Sequence, residues 1–261
     1  MKFYKDIAPV GSALYYSVRS LSPIEREQVL AVYAFYKQIE NITLSYSDIH
    51  IAHTKLQWWR GEVIKIQDGK ATHPLAQKLP PQVANELLEI IAGLEQNLTC
   101  PEFETFEDVF IHFMRTAGLR EMLVYSLLAK ENEKLMSSEV LYQMAFIFEF
   151  THYLKNLRHY VRRGLFYFSQ QELRQFQVTD AQLREYKTTP QIIELLRFQI
   201  DKIKKADQFV NNNSEGQYFP KNQFIQCKIA RAELRAIERN GYKVLEKYID
   251  LSPLKYWWLA L

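Results

Sequence analysis

The chain has 261 residues, 48% hydrophobic and 24% charged, a composition of folded globular protein rather than of a disordered chain. Its 8 glycines and 9 prolines are too few for a turn-rich sandwich, a barrel or a Gly-loop nucleotide-binding fold, and 33 basic against 30 acidic residues lack the strong basicity of a general nucleic-acid binder. Cys100 and Cys227 have no paired ligand spacing, which argues against a disulfide framework or structural zinc and fits a reducing, cytoplasmic setting; nowhere do eighteen apolar residues run uninterrupted.

From the N-terminus, helix breakers divide the chain into long segments without an internal repeat, so one domain over residues 1–261 is the simplest organisation. Ser22-Pro23-Ile24-Glu25 combines an N-cap serine, a proline at the first helical position and a glutamate able to close a capping box, which predicts a helix from about 23 into the low 40s. A second is expected over about 50–68, ending at Asp68-Gly69, and Pro80-Pro81 opens a third to about 98. Thr105 caps a segment running to about 130, and Ser137-Ser138 starts one that continues to Arg163-Gly164. Ser169-Gln170-Gln171-Glu172 is another capping-box pattern, for a short helix. Thr189-Pro190 starts a helix to about Val210, Asn211 to Gly216 reads as a loop, and Pro220 begins a last long helix reaching about Tyr248. Period-two alternation is weak throughout, so the expected fold class is all-α.

No GxSxG, P-loop, GxGxxG or HExxH pattern occurs, which removes the usual sequence support for several large enzyme classes. Glu149-Phe150-Thr151-His152 has the Glu-x-x-His spacing of di-iron bundles, but those need the motif twice with two further glutamates; a Glu and a His sharing a helix face is the plainer reading. His50-Ile51-Ala52-His53 has no carboxylate cluster nearby and reads as a surface pair. The 16 Phe, 16 Tyr and 4 Trp suit either an aromatic-lined cavity for a long apolar ligand or a plain aromatic core. Lys155, Arg158, His159, Arg162 and Arg163 form a cationic stripe that fits an anion and equally a solvated face. Tyr256-Trp257-Trp258-Leu259-Ala260-Leu261, beside Lys255, suits a lipid headgroup boundary, or simply packs on the helices.

Taken in order, several stretches resemble the squalene/phytoene synthases. Ser12-Ala13-Leu14-Tyr15-Tyr16-Ser17, Leu21-Ser22-Pro23 and Tyr33-Ala34-Phe35-Tyr36-Lys37 are similar to that family's opening, SNFYYSFLFLPxxxRxAxxALYAFCR. Thr54-Lys55-Leu56-Gln57-Trp58-Trp59-Arg60-Gly61-Glu62 and Thr72-His73-Pro74-Leu75-Ala76 resemble its KLxWWRxEL and HPVA stretches. Arg162-Arg163-Gly164-Leu165-Phe166-Tyr167-Phe168 resembles RRGRxYLP, Glu172 to Val178 resembles ELxRFGV, and Asp250 to Lys255 resembles RVSLSPLKK. The resemblance implies a single-domain isoprenoid synthase fold, antiparallel helices around a central cavity. It also implies head-to-head condensation of two prenyl diphosphates, with magnesium clamped between two aspartate-rich segments whose acids share helix faces.

Both segments depart from the family pattern. Where DDxxD is usual, the chain has Glu40-Asn41-Ile42-Thr43-Leu44, and where NxxxDxxED is usual it has His152 to Tyr160, with Asn156 and Tyr160 at the aspartate positions. Glu149 stands for a glutamine that often precedes, and Lys155 for an arginine. The expectation is therefore a protein that has lost magnesium-dependent condensation, with no catalytic residue, metal or cofactor assigned; Glu40, Asn41, Leu44, Asn156 and Tyr160 mark where the family acids stand. Without those acids, Lys37, Lys155, Arg158, Arg162 and Arg163 are expected to stand uncompensated at the cavity mouth and to pair directly with an anionic head group.

The residues expected to hold such a ligand are Ser12, Tyr33, Lys37, Glu40, Glu149, His152, Lys155, Asn156, Arg158, Arg162, Arg163 and Tyr167, with Tyr33, Lys37 and Glu40 facing Asn156 and Tyr160 across the cavity. The expected partner is a prenyl diphosphate or another anionic isoprenoid or lipid, or a protein; no nucleic acid is expected, and the C-terminal end offers peripheral membrane contact. Two alternatives stay open: an active prenyltransferase using magnesium through atypical ligands, and a scaffold like the family's mitochondrial branch acting in respiratory complex I assembly.

Overall fold

The computed structural model describes residues 6–45, 48–99, 101–130 and 134–261, and every regular element among them is helical. The family-like opening forms α1 (Ala13–Val18), whose Ser12 hydroxyl accepts from the Tyr15 N–H. Helix α2 (Pro23–Ser45) begins with the expected capping box: Ser22 N–H donates to Glu25 Oε2 and Glu25 N–H to Ser22 Oγ. Asp48 caps α3 (Ile49–Gln67), which stops before Gly69 at φ +67°. A 3₁₀ turn over Pro81–Val83 leads into α4 (Ala84–Glu95), and a second, Gln96–Thr99, ends it.

The segment begun by Thr105 is helical to Leu128 but not uniformly so. α5 (Phe106–Phe113) passes through a π turn, Met114–Gly118, into α6 (Leu119–Leu128). The Thr116 hydroxyl donates to the carbonyls of His112 and Phe113, competing with the backbone for the acceptors of the ordinary helical ladder. A similar competition corrects the expected run from Ser138 to Arg163. α7 (Ser138–Lys155) breaks at Asn156, whose side-chain amide donates to the His152 carbonyl, and α8 (Leu157–Arg162) resumes beyond it.

Two short helices, α9 (Gln170–Gln175) and α10 (Asp180–Arg184), each open with a capping box, the first at Ser169 as expected. α11 (Pro190–Asn213) runs through the first three residues of the expected loop, because Asn213 bonds back to the Phe209 carbonyl and keeps the helix closed. α12 (Lys221–Arg239), expected to reach Tyr248, stops at Asn240-Gly241. Gly241 at φ +64° lets its own N–H reach the Glu238 carbonyl and the Tyr242 N–H reach the Ile237 carbonyl, a Schellman termination. A last helix, α13 (Pro253–Leu259), was not expected from the sequence.

Helix α7 lies at the centre, buried on nearly every side and packed against α6, α11 and α12. The aromatic load settles there as core. Phe146 and Phe150 stack with centroids 5.1 Å apart, Phe113 meets Phe150 edge to face, and Tyr167 meets Phe113 and Tyr153 in the same way. A second core joins α2, α3, α4 and α6. Between the two cores, α2, α6, α7 and α12 enclose a cavity.

Candidate functional site

The cavity has a volume of about 270 Å³. α2 supplies Tyr33, Tyr36, Lys37 and Glu40, which helical spacing brings to one face. α7 supplies Phe148, Glu149, His152 and Lys155, α6 supplies Arg120, and α12 supplies Gln226, Ile229, Ala230 and Glu233. Asp6, Ile7, Ala13 and Leu14 close the N-terminal side.

Charge in this wall is paired group by group. Lys37 Nζ lies 2.6 Å from Glu40 Oε2, and the Tyr160 hydroxyl donates to Glu40 Oε1 at 3.3 Å. Burial alone pushes the Glu40 carboxyl up, but the Lys37 ammonium and its hydrogen bond outweigh it and hold Glu40 below the ordinary carboxylate range. Arg120, buried, donates to Glu121 Oε1 through Nε and Nη2 and to Glu149 Oε2 at 2.9 Å. Its guanidinium lies over the rings of Tyr33 and Tyr36, 4.8 and 4.5 Å from their centroids. Tyr33 Oη in turn donates to Glu121 Oε1 at 2.7 Å.

Lys155 Nζ sits 2.6 Å from Glu233 Oε1 and 3.2 Å from Asp250 Oδ1, and the Tyr256 hydroxyl donates to both carboxylates. Burial disfavours the Lys155 ammonium, yet the two carboxylates hold it charged, above the usual lysine range. His152 opens onto the cavity and is also exposed to solvent; partial desolvation and the Lys155 and Lys37 charges keep its pKa below the usual value against the pull of Glu149 and Glu40, so the imidazole is neutral at pH 7.

These pairings correct one expectation. Lys37 and Lys155 are not uncompensated, and the three arginines do not stand at the cavity mouth. Arg158 donates to the Leu245 and Glu246 carbonyls, and Arg163 Nε to the Leu44 carbonyl at 2.7 Å. Arg158 and Arg162 instead line a separate cleft of about 150 Å³ with Asn156, His159 and Lys247. Asn156 therefore faces that cleft rather than the cavity, because the helix break at its own position turns it aside. Tyr160 does face Glu40 as expected.

Of the other expected ligand residues, Tyr33, Lys37, Glu40, Glu149, His152 and Lys155 line the cavity, whereas Ser12 caps α1 and Tyr167 is buried with its hydroxyl on Asn97. Sequence reasoning missed Tyr36, Arg120, Glu121, Gln226 and Glu233. A charged Arg120-Glu121 pair inside the apolar run Ala117 to Val124 was the available sign of the second and third.

The stretches carrying the resemblance serve the frame as much as the cavity. Glu62 accepts from the backbone N–H groups of Thr72 and His73, both at 2.8 Å, and Trp59 packs edge-on against His73. Arg60 holds Glu95 of α4 at 2.6 Å.

Magnesium asks for several oxygen donors free to ligate. Glu40 is engaged by Lys37 and Tyr160, Asn41, Leu44, Asn156 and Tyr160 stand where the resemblance puts the other family acids, and no group of three or more metal-ligating side chains converges among the described residues. The residues present do not fit the family's magnesium cluster.

A family model described as squalene/phytoene synthase matches residues 7–255. The chain is 19% identical over 263 residues to the chloroplastic phytoene synthase of Narcissus pseudonarcissus, covering 95% of this chain and 62% of that protein. It is 20% identical over 262 residues to phytoene synthase 1 of Arabidopsis thaliana, with the same coverages of 95% and 62%. The chain thus spans about three fifths of the length of these relatives. Among solved structures, a dehydrosqualene synthase in complex with ligand superposes with a TM-score of 0.81 at 15% identity, covering 99% of this chain and 95% of that one. A squalene synthase, HpnC, from Alicyclobacillus acidocaldarius gives 0.73 at 15% identity, covering 92% and 94%. These likenesses show a shared isoprenoid synthase fold.

Proposed function

The chain belongs to the squalene/phytoene synthase family, and we propose that it binds one isoprenoid-type ligand in its central cavity without joining two of them. The observation that carries this reading is the state of Glu40: the one acid kept at the first aspartate-rich segment is tied to Lys37 and Tyr160, and the opposite segment offers Asn156 and Tyr160. The cavity volume of about 270 Å³ also lies at the small end of ligand pockets. Two prenyl diphosphates need more room and a metal clamp between them. Native mass spectrometry with prenyl ligands in the presence of chelator tests the binding half: one ligand per chain supports it, and a requirement for magnesium argues against it.

A second reading, an active prenyltransferase with atypical magnesium ligands, draws on family membership and on Glu40, Glu149 and His152 sharing one cavity. Turnover that disappears in Glu40→Gln would favour it. The scaffold reading draws on exposed apolar side chains at the C-terminal end, Leu254, Trp257, Trp258 and Leu261, which also suit a lipid surface. A protein that co-purifies with an empty cavity would favour the scaffold.

A further inference from the structure

Among the described residues, the wall of the central cavity carries many charges, and each of its cations is already paired with a carboxylate. Its lining includes the carboxylates Asp6, Glu40, Glu149 and Glu233. Three cations oppose them, Lys37, Arg120 and Lys155, each within 2.9 Å of a carboxylate oxygen. Two more carboxylates stand directly behind, Glu121 on Arg120 and Asp250 on Lys155. Among the described residues the wall is therefore negative on balance, and its cations already have partners. A diphosphate entering here would compete with carboxylates for cations already engaged and would bring new negative charge beside them.

The hydrogen-bonding capacity that remains is neutral. The Tyr36 hydroxyl lines the cavity with no hydrogen-bond partner among the described residues, although Tyr36 is buried and its ring lies under the Arg120 guanidinium. Burial, and then the charges of Glu149 and Glu40, push its phenol well above the usual range, so it stays a protonated donor. The His152 ring also faces the cavity, with the Asn156 amide 3.3 Å from Nε2. A neutral imidazole offers one donor and one acceptor nitrogen, and a phenol offers a donor. Leu14, Phe148 and Ile229 supply apolar wall beside them.

We propose that this cavity selects an isoprenoid-type ligand with an uncharged hydroxyl head group, bound between the Tyr36 hydroxyl and the His152 imidazole, and that its paired charges exclude the diphosphate. The proposal rests on the single-ligand reading given above. An alcohol can accept from one of these groups and donate to the other without breaking any ion pair.

The test is equilibrium dialysis of the full chain with farnesol, farnesylamine and farnesyl diphosphate, with and without magnesium, at low and high salt. Farnesol is expected to bind at least about tenfold more tightly than the diphosphate, independently of salt. Tyr36→Phe should weaken farnesol binding by about two- to tenfold, the effect of one neutral hydrogen bond, with the circular dichroism spectrum unchanged. Glu40→Gln, which frees Lys37, should strengthen diphosphate binding. Tighter binding of the diphosphate or the amine by the unmodified protein overturns the head-group assignment and leaves the single-ligand reading standing. Absence of binding by all three overturns both.

Discussion

Lys155 Nζ lies 2.6 Å from Glu233 Oε1 and turns what reads in sequence as the start of an exposed cationic stripe into the centre of a buried charge cluster. Asp250 and the Tyr256 hydroxyl complete it, so the residues after α12 help build the cavity wall. Lys155→Ala leaves Glu233 and Asp250 side by side without a cation. The expected cost is about 3–5 kcal/mol, measured by urea unfolding at neutral pH. Adding Asp250→Asn should recover part of that loss; an additive further loss would contradict the cluster.

Acid stability should fall in two successive, slightly overlapping windows. His112, buried against Phe103 and Tyr167, has its pKa lowered to about 4, by desolvation first and then by the Arg115 charge. The unfolded chain takes up this proton near pH 6.5 and the folded one refuses it until about pH 4, so stability declines as pH falls between those values, by up to about 3 kcal/mol. His112→Asn should flatten this limb of the stability profile.

The Glu62 carboxyl acts in the same sense at lower pH, but through its charged form. Burial raises it, but Lys65 and the N–H groups of Thr72 and His73 prevail and bring it to about 2 from 4.5. Its stabilisation is complete above the unfolded value and is lost as pH falls from 4.5 towards 2. Glu62→Gln should lower stability at pH 7 by about 1–3 kcal/mol, from weakened charge-assisted bonds, and remove this lower window in a denaturation series.

Gly93 sets how closely α4 approaches the π turn. A Cβ there would meet Thr116 Cγ2 at 2.7 Å and the Arg115 carbonyl oxygen at 3.0 Å. The methyl could rotate away, but the carbonyl belongs to backbone, so Gly93→Ala should cost about 1–3 kcal/mol despite its better helix propensity. A thermal midpoint unchanged or raised in the variant would contradict this packing.

At the C-terminal end, Tyr256 and Leu259 are buried against Ile225, Ile229 and Ala232, whereas Trp257 and Trp258 are 42% and 60% exposed, with Lys255 Nζ over the Trp258 ring at 4.2 Å. Among the described residues no helix is long and apolar enough to cross a membrane. The expectation is weak, salt-sensitive sedimentation with anionic vesicles that Trp257→Ser with Trp258→Ser abolishes at unchanged thermal stability. Truncating residues 256–261 would be a poor substitute, since it also removes Tyr256 from the Lys155 cluster. Equal sedimentation of wild type and double variant would reject the surface.

The helical fold was legible because caps and prolines are local. Ser22, Thr105, Ser169 and Thr189 each start the helix their sequence signals promise. The missed end of α12 was local too: Asn240-Gly241 carries the usual helix-stop signal inside an otherwise helical pattern. The face of α2 bearing Tyr33, Lys37 and Glu40 followed from helical spacing. What spacing could not supply was pairing across long sequence distance. Glu233 and Asp250 lie far along the chain from Lys155, and nothing in the charged run of α12 distinguishes the buried Glu233 from its solvated neighbours. Asn156 was misplaced for a subtler reason, a side-chain to backbone bond that turns the helix at that residue.

The central claim is that this chain holds a ligand without condensing two. Incubation with magnesium and farnesyl or geranylgeranyl diphosphate, followed by pyrophosphate release and extraction of apolar products, tests it most directly. The account predicts neither pyrophosphate nor a condensed hydrocarbon. A condensed product formed by the wild type and lost in Glu40→Gln would contradict it, and would show that a carboxylate held by Lys37 and Tyr160 can still serve a metal.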